Sequence, residues 1–199
     1  RGWLMRARGQ RAAGLLSAPA MQWTSLPVWL GVLAAAGLTA APAAAATYMI
    51  NVEGPMDLGS VVAGASGNTV FRIAPTTGSV SVQSGSGRRI STGSARSQVS
   101  IMCRPGRAGD TKCQTDNISI RIGAVAAMTG RARALTNFTV AMGTATPVGA
   151  PTGANPLSFQ IAPPGDNVMK TFFVGADFPV AGDDSGLPSG PGENNFFVT

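Results

Sequence analysis

The residues best equipped for covalent chemistry in this chain are two cysteines, Cys103 and Cys113, and the segment between them reads Arg-Pro-Gly-Arg-Ala-Gly-Asp-Thr-Lys. Pro-Gly and Ala-Gly-Asp are turn chemistry, without apolar periodicity. A short polar loop with Cys at both ends predicts a disulfide in an oxidising compartment, with free thiols as the alternative. Closing such a loop contributes about 2–3 kcal/mol in the chain-entropy picture. A zinc site needs more than two thiolates, and the chain has no histidine.

The same lack of histidine excludes the common hydrolytic triads. Lys112 and Lys170 are the only lysines, and neither lies in a Ser-x-x-Lys arrangement. A glycosidase needs two carboxylates held across a cleft. Asp57, Asp166, Asp177, Asp183 and Asp184 are available, but most lie beside Gly or Pro, where aspartate caps local backbone groups. Asp183-Asp184, with Asp177 and Glu193 nearby, offers hard oxygens to calcium, but the spacing is not that of an EF-hand loop. Gly64-Ala-Ser-Gly67 and Gly85-Ser-Gly87 lie between strands rather than before a helix, so they read as hairpin turns and not as a phosphate cradle. No catalytic, cofactor-binding or metal-ligating residue is assigned, and no cofactor is expected.

The elements that must position these residues read as β-strands. In Ile118, Ile120 and Ile122 the apolar residues share one face, with Ser119 and Arg121 on the other. Val99 and Ile101, then Phe138 and Val140, repeat the period of two. Further strands are expected at 48–52, 69–73, 79–82, 98–102, 117–122, 135–142, 157–161, 170–174 and 195–198. Ala124–Met128 reads as strand end and loop. Residues 143–156 and 181–192 read as long loops, of the kind that carry function or move. Short strands with frequent Gly and Pro turns predict an all-β, antiparallel β-sandwich.

The N-terminus reads differently. Arg1, Arg6, Arg8 and Arg11 lead into the apolar run Leu26–Thr39 and the small-residue exit Ala40–Ala46. A basic head, a short apolar stretch and an Ala-x-Ala exit describe a cleaved secretory signal peptide over residues 1–46, cut after Ala43 or, preferably, Ala46. An uncleaved anchor is the alternative, but the run is shorter than the ~20 residues a spanning helix needs and contains Pro27 and Gly31. The leader also carries the charge. The chain has 15 Lys plus Arg against 9 Asp plus Glu; four arginines and no acids precede Ala46, leaving 11 against 9. Arg88-Arg89 and Arg131-x-Arg133 lack the interleaved aromatics that stack bases, so no nucleic-acid partner is expected. Contact with a membrane is expected only through the leader during export. Residues 47–199 have the size of one domain.

Asp57-Leu-Gly-Ser-Val-Val-Ala-Gly64, Gly67-Asn-Thr-Val70, Thr77-Gly-Ser-Val80, Arg89-Ile-Ser-Thr-Gly93, Leu135-Thr-Asn-Phe-Thr-Val140, Gly175-Ala-Asp-Phe-Pro-Val180 and the closing Gly192…Phe197-Val198 occur in that order. Together they resemble a proteobacterial family of exported proteins called domain of unknown function 4402, over most of residues 47–199. Leu58 stands where the family pattern has an aromatic. The resemblance implies an immunoglobulin-like β-sandwich, similar in character to spore-coat-U and chaperone–usher pilus subunits, and brings no catalytic residues. It implies a periplasmic, cell-surface or extracellular structural or adhesive protein that is fimbria-like, with self-association or other surface subunits as partners. Strand pairing is then expected at Tyr48, Ile50 and Val52 on the first edge and at Phe196, Phe197 and Val198 on the last. Little chain precedes Met49 to serve as a free donor arm. The alternative is a monomeric module that presents its long loops to glycans or proteins.

Overall fold

A computed structural model describes residues 3–11, as backbone, and residues 45–199 with side chains. The described residues are nearly all β. In order, the strands are β1 (Trp3–Arg11), β2 (Thr47–Glu53), β3 (Met56–Val62), β4 (Asn68–Ile73), β5 (Val80–Ser84), β6 (Arg88–Arg89) and β7 (Ser97–Arg104). A single helical turn, α1 (Lys112–Thr115), precedes β8 (Ile118–Met128), β9 (Thr136–Met142), β10 (Pro147–Thr152), β11 (Leu157–Ile161), β12 (Met169–Ala181) and β13 (Gly192–Val198). Among the described residues no helix is long and apolar enough to cross a membrane.

The strands form two sheets. The first has the order β10-β11-β8-β13-β1-β3-β6; the second runs β2-β7-β12-β4-β5, with β9 also paired to β12. Pairing between the described strands is antiparallel except for β1 with β13. One core lies between the sheets. Leu58, Ile120, Ile122, Phe159 and Phe196 from the first sheet meet Phe71, Ile101, Phe172, Val174 and Phe178 from the second. Phe159 meets Phe172 edge-on at 5.2 Å between ring centroids, and Phe138 tilts against Phe196 at 6.2 Å. Each fully buried aromatic or aliphatic side chain contributes about 1.5–3 kcal/mol over its exposed state.

Alternation places the residues as the sequence implies. Ile120 and Ile122 are buried while Ser119 and Arg121 are exposed. Several elements differ from the expectation. Ala124–Met128 continues β8 as strand, because β13 pairs along it up to Met128. Six residues of the loop expected over 143–156 form β10, an exposed edge strand on β11. Strand β12 runs on to Ala181 because β9 pairs with it as far as Asp177 and β4 pairs with it from Asp177 to Ala181. The cysteine loop ends in α1, which carries Cys113 and whose first amide, Lys112 N–H, donates to the Asp110 carboxylate at 3.1 Å.

Candidate functional site

The feature that distinguishes this architecture lies in the first sheet, between β3 and β13. Both walls turn large side chains into the core: Met56, Leu58 and Val61 from β3, and Phe196 and Val198 from β13, all at most 5% exposed. On its other side β13 is fixed to β8, where the Phe197 ring lies close over Gly123. On its other side β3 pairs with the two-residue β6 and with the segment after it: Arg89 Nε donates to the Leu58 carbonyl at 2.7 Å, the Ile90 N–H to the Ser60 carbonyl at 2.8 Å, and the Asp57 N–H to the Ala95 carbonyl at 3.1 Å. Gly59 bends β3 at φ +71°, a left-handed conformation that favours glycine, and its N–H is met by Asp57 Oδ1 at 2.8 Å.

The slot between these walls is filled by β1. Its register runs parallel to β13 from Met5 opposite Gly192 to Arg11 opposite Val198, and antiparallel to β3 from Trp3 opposite Val61 to Ala7 opposite Met56. A register shift at Met5/Arg6 absorbs the bend at Gly59. The strand comes from a segment that residues 12–46 separate from the folded body. Taking it away would strip one row of backbone partners from each wall, and a buried donor or acceptor left unmet costs about 1–3 kcal/mol.

Trp3–Arg11 lies within the residues expected to form the leader's basic head, and the structure places it as a strand. The apolar run Leu26–Thr39 and the exit through Ala44 fall outside the described residues; β2 begins at Thr47, directly after Ala46. The signal for β1 is in the sequence. Met5, Ala7 and Gly9 alternate with Arg6, Arg8 and Gln10, a period of two that the positive charge obscures.

The residues expected at strand-pairing edges lie on different sheets. Tyr48, Ile50 and Val52 are on β2, the outermost strand of the second sheet, opposite Cys103, Ile101 and Val99. Ile50 and Val52 are half-buried against the core, and Tyr48 is exposed. The Tyr48 phenol is pushed above its usual range by partial burial and by the nearby Asp116 and Asp110 carboxylates. Phe196, Phe197 and Val198 are interior to the first sheet while β1 is in place, and without β1 they would form its edge.

Cys103 and Cys113 form a disulfide, with Cα atoms 5.5 Å apart and both residues fully buried. It ties the end of β7 to α1. The Cys103 and Cys113 carbonyls also accept the N–H groups of Asn167 and Gly165, so the loop before β12 docks on the same staple.

Asp183 and Asp184 bond to groups far along the chain rather than, as expected, to neighbouring backbone. Asp183 pairs with the buried Arg131, and Asp184 accepts the Gly67 N–H. Among the described residues no group of three or more His, Cys, Asp or Glu is placed to hold a metal ion. A groove of about 540 Å³ opens on the first sheet, lined by Ser119, Arg121, Val148, Thr152, Ser158 and Gln160. Compared with known family models, curated proteins and solved structures, the chain matches none.

Proposed function

We propose that this protein is an exported, non-catalytic structural or adhesive component of a bacterial surface, immunoglobulin-like in fold, which assembles with other copies or surface subunits by β-strand pairing. The single observation that carries the reading is the slot between β3 and β13, which is filled only by a segment lying beyond residues 12–46. A leader whose basic head stays on the cytoplasmic side of the membrane cannot fill a slot in a domain delivered to the other side. The exported body therefore meets its partners with two unpaired strand edges and an opened core, and an incoming strand restores both. The buried Cys103–Cys113 bond is compatible with an oxidising periplasmic or extracellular location.

The test uses protein recovered from the envelope of expressing bacteria, with its N-terminus read by mass. We expect a chain that begins near Thr47 and forms concentration-dependent oligomers, which a synthetic peptide of residues 3–11 dissociates to monomers. A chain that begins near Thr47 and stays monomeric at every concentration contradicts the reading.

The groove beside β10 favours a second reading, a monomeric module for glycans or polar peptide ligands. Residues of the segment 143–156 line it, and Arg121 and Gln160 supply hydrogen-bonding groups on an otherwise shallow wall. In that case Arg121→Ala would abolish ligand binding by the monomer and leave its size unchanged.

A further inference from the structure

We propose that Met49, Met102 and Met169 form a Cu(I) site on the outer face of the second sheet. The three lie in one cross-strand row: Met49 is directly opposite Met102 between β2 and β7, and Met102 is directly opposite Met169 between β7 and β12. Side chains in such positions have Cβ atoms about 4.5–5.5 Å apart. Methionine has three rotatable bonds, so the outer two thioethers can lean over the central one.

The row is on the solvent side. Ile101, next to Met102, faces the core at 1% exposure, whereas Met49 is 44% and Met169 55% exposed. Core packing therefore does not account for a thioether at these two positions. The three methionines line one end of a cavity of about 330 Å³, whose other end holds Asn51, Glu53 and Ser100. Glu53 accepts hydrogen bonds from Ser100 Oγ at 2.7 Å and Gln98 Nε2 at 2.6 Å. Both donors are neutral, and Glu53 is the acidic residue of the cavity lining, four residues along β2 from Met49. Thioether sulfur selects soft Cu(I), while Mg²⁺, Ca²⁺ and Mn²⁺ prefer oxygen ligands. Binding is coordination alone, with no change of oxidation state. The site is independent of the strand-pairing reading, because its residues belong to β2, β7 and β12 and not to the slot.

Methyl NMR of full-length protein labelled at the methionine methyl carbons tests this directly. Cu(I) is kept in solution anaerobically by dilute acetonitrile, with Ag(I) as an air-stable probe. We expect the Met49, Met102 and Met169 methyl signals to shift together and to saturate at one equivalent of either ion, while the signal of buried Met56 stays in place and Zn²⁺ has no effect. Met102→Leu, close in volume, is expected to weaken binding at least tenfold, as are the exposed changes Met49→Leu and Met169→Leu. The proposal is overturned if the three signals do not move, if all methionine signals shift alike, or if Met49→Leu and Met169→Leu proteins with unchanged melting curves bind as tightly as the parent.

Discussion

Asp177 shows how a turn-like sequence position becomes a structural charge. It is 3% exposed and lies directly opposite Arg72 across β12 and β4. Arg72 donates to its carboxylate from Nε at 2.7 Å and from its second terminal nitrogen at 2.8 Å, and Asn137 Nδ2 donates at 2.7 Å. Asn137 begins a glycosylation-type sequon, but its side-chain amide is committed here. Burial alone would raise the Asp177 pKa. The hydrogen bonds from Arg72 and Asn137, with the guanidinium charge, outweigh burial and hold it below the ordinary 3.8. A carboxyl depressed in the folded state stabilises the protein above the unfolded pKa, and that contribution is lost as pH falls through the folded value. Asp177→Asn is therefore expected to cost about 2–3 kcal/mol at pH 7. Urea midpoints of the two proteins should converge between pH 5 and the acid limb; a gap that does not change with pH would contradict this role.

At the scale of the element, the disulfide and β12 make separate predictions. Reducing Cys103–Cys113 should cost about 2–3 kcal/mol of stability. Thiol titration should find no free thiol in the native protein and two after reduction; two reactive thiols before reduction would refute the bond. Within β12, a Cβ at Gly175 would lie 2.1 Å from the Ile73 carbonyl oxygen and 2.9 Å from Pro75 N, both backbone atoms. Gly175→Ala must push β12 away from the end of β4, at a cost of about 1–3 kcal/mol, read as a lowered urea midpoint. A midpoint equal to the parent's would mean that the two segments are not held so closely.

The elements legible in the sequence are those with one wet and one buried face. Ile118–Ile122 shows its strand plainly because Ser119 and Arg121 remain in water. Residues 175–178 are all buried, and Gly175, Asp177 and Pro179 are turn-type residues that mask the alternation of Ala176, Phe178 and Val180 in the second half of β12. Strand β10 fails for the opposite reason: all six residues are exposed, and no buried face marks it. In β3 the bend at Gly59 puts Leu58 and Val61 out of step along the chain. The disulfide was legible because its partners are close in sequence. The slot was not, since it depends on the order of strands across a sheet.

At the scale of the whole molecule, the two expected pairing edges become asymmetric. Strand β2 is an existing edge of the second sheet, while β13 becomes an edge only when β1 leaves. A central position in the first sheet is thus supplied by the segment read as a removable leader. Leader removal and strand acceptance are in this account one event seen from two sides, because the nine residues that fill the slot belong to the segment read as the leader. Arg121→Ala, in the groove of the monomeric alternative, is expected to leave assembly unchanged, which sizing would check.

The most direct measurement is amide hydrogen exchange along β3 and β13 in the exported protein, comparing monomer with oligomer. The account predicts that the amides of Met56–Val61 other than Asp57, Gly59 and Ser60, which Ala95, Asp57 and Ser91 accept, and those in Gly192–Val198 that do not pair with β8, exchange freely in the monomer. They should become protected on assembly, or when the peptide of residues 3–11 is added. Equal protection of these amides in monomer and oligomer, with no change on adding the peptide, would contradict an open slot.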